Sequence, residues 1–80
     1  MNKKNEGKVF LTLNDTGLIE NQGEIIGDLG SEYLVVFFSF NTGEETETKL
    51  LDKRTNFLFF DTDEDMMKFY ENNPQLVSLD

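Results

Sequence analysis

The sequence predicts a mainly β domain: a small five-stranded barrel or curved antiparallel sheet with one C-terminal α-helix. Three observations predict it. Short apolar runs alternate with turn residues, the longest run, Tyr33 to Phe38, is strand-sized, and a helical period appears only after Phe60. The chain has 80 residues and no internal repeat, so one hydrophobic core and one domain, 1–80, are expected. The ordered core is expected over about 8–72, with residues 1–7 and 74–80 as loose ends. There is no Cys and no His, so packing of the eight Phe must do most of the stabilising.

The first strand is Lys8-Val9-Phe10-Leu11-Thr12-Leu13, and Asn14-Asp15-Thr16-Gly17 after it has the composition of a tight turn. Asn14-Asp15-Thr16 also matches a glycosylation sequon, read here as a chance match in that turn. Leu18 to Glu20 begins a second strand, broken at Asn21-Gln22-Gly23, where the glycine signals a bulge or a close backbone approach. Glu24-Ile25-Ile26-Gly27 is the clearer piece, followed by a reversal at Asp28-Leu29-Gly30-Ser31.

Tyr33 to Phe40 is the strongest strand and is expected at the centre of the sheet. Leu34, Val36, Phe38 and Phe40 share one face and Tyr33, Val35 and Phe37 the other, so both faces are apolar. Asn41-Thr42-Gly43-Glu44 closes a hairpin. Glu45-Thr46-Glu47-Thr48-Lys49-Leu50 then alternates charge with Thr and Leu, as an exposed edge strand blunted by charge does. After the polar connection Asp52-Lys53-Arg54-Thr55, the last strand is Asn56-Phe57-Leu58-Phe59-Phe60.

A helix follows, capped by Asp61 or Thr62, with Glu64 or Asp65 three residues on and Met66, Phe69 and Tyr70 as its buried stripe. Glu64 precedes Lys68 by four residues, the favourable order for a surface pair. Asn72-Asn73-Pro74 ends the helix. Beyond it, Leu76, Val77 and Leu79 either dock a short segment or belong to a loose tail.

Sixteen acids against seven bases leave a net charge of −9. No Lys or Arg lies between Val9 and Thr48, a stretch holding Asp15, Glu20, Glu24, Asp28, Glu32, Glu44, Glu45 and Glu47. Such a field repels nucleic-acid phosphates and anionic lipid, and it attracts basic partners. The absence of Cys and of a signal-like apolar stretch favours a soluble, cytoplasmic protein with no membrane segment.

Catalytic equipment is missing from this reading. Without His or Cys, the candidate nucleophiles Ser31, Ser39 and Ser78 have no local base, and a domain this small has little room for a carboxylate-lined cleft. Asp61, Asp63 and Asp65 have the spacing that opens a calcium loop, but Met66 stands where Gly is needed and Asn72 where a bidentate Glu is expected. An acid-rich helix start is the simpler account. Gly23, Gly27 and Gly30 belong to strand and turn, because a phosphate cradle needs a following helix and usually a Lys. Phe37, Phe38 and Phe40 are expected as core, since a base-stacking platform needs a positive groove. The expectation is therefore no enzyme, no metal and no cofactor.

The passage from Gly23-Glu24-Ile25-Ile26-Gly27 through a turn into Tyr33-Leu34-Val35-Val36-Phe37 resembles an SH3-like barrel of the Tudor or KOW kind. The resemblance spans roughly Val9 to Phe60 and rests on the hairpin rhythm. It implies a module that binds peptides, proteins or nucleic acids. The acidic helix is not a required part of that fold, which leaves an α+β sheet with one packed helix as the alternative.

The functional expectation is a non-catalytic module whose acids Glu44, Glu45, Glu47, Asp61, Asp63, Glu64 and Asp65 meet a basic surface on a partner protein. In its sharper form it is a nucleic-acid mimic that inhibits a nucleic-acid-binding protein, as small phage or mobile-element inhibitors do. The alternative is a structural or assembly subunit that self-associates through the Tyr33, Val35 and Phe37 face, as a monomer or weak homodimer. A cation sensor built on Asp61, Asp63 and Asp65 is a third option.

Overall fold

The computed structural model describes residues 5–77. Its elements run β1 (Val9–Leu13), β2 (Ile19–Asp28), β3 (Glu32–Phe38), β4 (Glu45–Asp52), β5 (Phe57–Phe60), α1 (Asp63–Asn72) and a 3₁₀ turn at Pro74–Leu76. The five strands form one antiparallel sheet in the order β4-β3-β2-β1-β5. The sheet does not close, and β4 and β5 are its edges. The expected fold class, five curved antiparallel strands with a C-terminal helix, is the one observed.

The sheet has three register shifts, one of them between β3 and β4 and the other two along β2. The register of β2 against β1 passes from Thr12↔Asn21 to Leu13↔Ile19, skipping Glu20, and its register against β3 passes from Ile25↔Val35 to Gly27↔Leu34, skipping Ile26. An extra residue on one strand bends it and increases its twist. The first bulge also turns Ile19 to the face opposite Ile25, although the two are an even six positions apart. Ile19 accordingly packs with Val9, Leu11 and Met66 under the helix, while Ile25 packs with Phe10, Tyr33 and Val35 on the concave face.

The break expected at Asn21-Gln22-Gly23 is absent, because all three residues are in the ladder of one ten-residue strand. Their polarity has another cause. Gln22 donates to the Ser39 carbonyl at 3.2 Å and accepts from the Tyr70 hydroxyl at 2.6 Å. The close approach expected at Gly23 is real: a Cβ there would collide with the Val36 carbonyl and lie 3.0 Å from the Phe10 ring.

The strand buried on both sides is β1. Val9 and Leu11 face the helix, whereas Phe10 and Thr12 face the concave interior, and none of the four exceeds 6% exposure. β3 was expected at the centre; it is interior, between β2 and β4, but β2 holds the middle position. β3 also stops at Phe38, so Phe40 lies beyond the strand and is exposed instead of joining the core. Tyr33, Val35 and Phe37 share one cluster as expected. The curled sheet covers them with Phe10, Leu51 and Phe57.

The turns follow their chemistry. The Asn14 side chain accepts from the Thr16 and Leu18 backbone N–H groups, each at 3.0 Å, and Gly17 takes the positive φ of 85° that closes the loop. Thr62 caps α1, its hydroxyl accepting from the Asp65 backbone N–H at 3.1 Å. Met66 is buried beneath α1, with Phe69 and Tyr70 packed beside it. After Asn73 the chain docks: Leu76 and Val77 pack on the same cluster, and Val77 bridges to Ile19. The expectations for Ser78 and Leu79 fall outside the described residues.

Candidate interaction surface

The expected acidic residues occupy two stretches. Glu44 closes the loop from Ser39, its carbonyl accepting from the Ser39 N–H at 2.8 Å and its own N–H donating to the Thr42 hydroxyl at 3.2 Å, and Glu45 and Glu47 follow on β4. From Glu45 to Leu50 every residue of β4 is exposed, as expected of an edge that carries charge. Asp63, Glu64 and Asp65 form the first turn of α1, where the positive end of the helix dipole favours acids.

Ion pairing separates these residues. Among the described residues the ion pairs are Lys8–Asp61 at 3.6 Å, Lys53–Asp28 at 2.6 Å and Arg54–Asp52 at 2.9 Å. Asp61 is thus partly neutralised by Lys8, and the Glu64–Lys68 pair expected from spacing is not among them. Neither are Glu44, Glu45, Glu47, Asp63 or Asp65, whose charges face solvent. The Arg54 side chain, hydrogen-bonded to Asp52, holds that carboxyl below its ordinary range, and Asp52 in turn raises Arg54.

Both stretches adjoin in sequence the walls of an apolar groove of about 440 Å³: Glu44 follows Gly43, and Asp63 and Glu64 stand about one turn before Met67. One wall is the β3–β4 loop, with Phe40, Thr42 and Gly43, and the other is α1, with Met67 and Tyr70. Gln22 and Val77 also line it. Burial pushes the Tyr70 hydroxyl up to about 12, so it stays protonated and donates to Gln22 at ordinary pH. The groove was not legible in sequence, because it depends on Phe40 leaving the strand and on α1 crossing to Gln22.

Other candidates have structural roles. The Ser39 hydroxyl accepts from the Asn41 and Thr42 N–H groups at 3.1 and 3.4 Å and shapes the loop. Among the described residues no three His, Cys, Asp or Glu side chains are placed to hold a metal ion, so Asp61, Asp63 and Asp65 do not converge as the sensor option requires. Gly30 lies in a hairpin turn at φ 94°, with its N–H donating to Asp28 at 3.1 Å. Among the described residues no helix is long and apolar enough to cross a membrane.

No family model, no curated protein and no solved structure matches this chain.

Proposed function

We propose that the chain is a non-catalytic acidic interaction module that binds a basic surface on a partner protein. One observation carries the reading: Glu44, Glu45 and Glu47 run on from the loop that forms one wall of the groove, Asp63, Glu64 and Asp65 open the helix that forms the other, and none of the six is in an ion pair among the described residues. Opposed potentials accelerate encounter and orient a cationic partner before contact. Asp61 has a smaller part in this surface because Lys8 screens it.

Two features support the finer readings. The strand order, a four-strand meander whose fifth strand returns beside the first, is compatible with an SH3-like barrel of the Tudor or KOW kind. The net charge of −9, with acids that lie outside the ion pairs of the described residues, suits a nucleic-acid mimic that inhibits by occupying a basic channel. The self-association reading loses its basis, since Tyr33 and Val35 are buried and Phe37 packs against them.

The test is to replace Glu44, Glu45 and Glu47 together by Gln and titrate a lysine-rich peptide into both proteins. Exposed charges on an edge contribute little to folding, so the unfolding midpoint should hardly move while peptide affinity falls. Unchanged affinity would remove this stretch from the surface and leave Asp63, Glu64 and Asp65 to account for binding.

A further inference from the structure

Two large apolar side chains beside the groove, Phe40 and Met67, are each 53% exposed. Phe40 belongs to neither core cluster, because it follows the end of β3. Met67 follows buried Met66 on α1 and is left exposed along the groove. Exposed aromatic and methionine side chains bordering a concavity are the usual makings of an interface centre, and methionine adapts to the shape that enters.

The polar floor is already satisfied from within. Gln22 donates to Ser39 and accepts from Tyr70, so an apolar group entering the groove strands none of these bonds. The surroundings are acidic. Asp63, Glu64 and Glu71 stand four before, three before and four after Met67, which places them along its side of the helix, and Glu44 follows Gly43 on the facing loop.

Resting on the acidic-surface reading, we infer that the groove seats a single apolar anchor, aromatic or aliphatic, from a basic segment of the partner whose Lys or Arg residues flank that anchor. Charge supplies the encounter, and the anchor supplies the discrimination between basic segments.

Three ten-residue peptides test this by calorimetry on the intact chain: one with a central Phe flanked by Lys, one with Ala replacing the Phe, and one with Gln replacing every Lys. The Phe peptide should bind roughly tenfold tighter than the Ala peptide, the scale expected for burying one large apolar side chain. Phe40→Ser and Met67→Ser, at exposed positions whose effect on folding is checked by thermal unfolding, should erase that difference and leave the Ala peptide's affinity unchanged. Equal binding of the Phe and Ala peptides, or variants that bind the Phe peptide as the parent does, would overturn the anchor while leaving the acidic-surface reading intact. Failure of both lysine peptides to bind would overturn the two together. Self-association that Met67→Ser abolishes would assign the groove to a second copy and overturn the basic-segment assignment.

Discussion

The Tyr33 ring meets the Phe57 ring edge-on at 5.5 Å between centroids, although β3 and β5 are separated in the sheet by β2 and β1. Only a strongly curled sheet brings them together, and the contact belongs to a wider cluster. Phe59 lies 5.9 Å from Tyr33, and the Lys53 ammonium sits 4.8 Å over the Tyr33 ring while pairing with Asp28. If this contact helps hold the curl, a double-mutant cycle of Tyr33→Leu and Phe57→Leu should give a coupling of about 0.5–1.5 kcal/mol by urea unfolding. Additive effects would assign the curl to the register shifts in the strands.

Phe10 carries the largest single share of the core. It is fully buried, with Phe57 at 5.5 Å and Phe37 at 6.3 Å from its ring. Phe10→Ala should cost about 3–5 kcal/mol, enough to unfold a domain of this size. Phe38, which the sequence singles out as core, is only partly buried and should cost less when cut to Ala. Equilibrium unfolding of the two variants ranks them.

Gly23→Ala should destabilise by about 3 kcal/mol, because the new methyl meets the Val36 carbonyl, which the ladder holds in place. Gly43→Ala meets open space and is opposed only by its φ of 77°. A smaller loss of unfolding midpoint for Gly43→Ala than for Gly23→Ala would separate collision from backbone strain.

Tyr70 predicts an alkaline limit. Its hydroxyl is raised from 10.0 to about 12 by burial, so between those values the unfolded chain releases a proton that the folded chain keeps. The stabilisation is fully present below pH 10.0 and is lost as the pH rises towards about 12. Urea midpoints measured on either side of that window should fall in the parent and stay flatter in Tyr70→Phe. At neutral pH that variant should be less stable by about 1–2 kcal/mol, since Gln22 loses its donor.

Much of this was readable from residues alone. Short apolar runs bounded by turn residues located the five strands, β2 in two pieces, and Asp61 or Thr62 marked the helix start, of which Thr62 is the cap. One error arose because local polarity was read as local structure. Asn21-Gln22-Gly23 looks like a break, yet Gln22 is polar because it bonds to the β3–β4 loop and to Tyr70, and Gly23 is glycine because β3 lies too close for a side chain. The positions of Glu44, Glu45, Glu47, Asp63, Glu64 and Asp65 at the surface were likewise legible. The groove between the β3–β4 loop and α1 was not, since it follows from how α1 reaches Gln22. Asp61 joined the list by composition alone, and its pairing with Lys8 is a tertiary contact that no spacing announces.

The most direct measurement is the affinity of the intact chain for a lysine-rich peptide across a salt series. Attraction between unneutralised surface carboxylates and a cation weakens as the Debye length shrinks, so binding should fall at least about tenfold between roughly 50 and 200 mM salt. An affinity that stays level across the series would contradict the account.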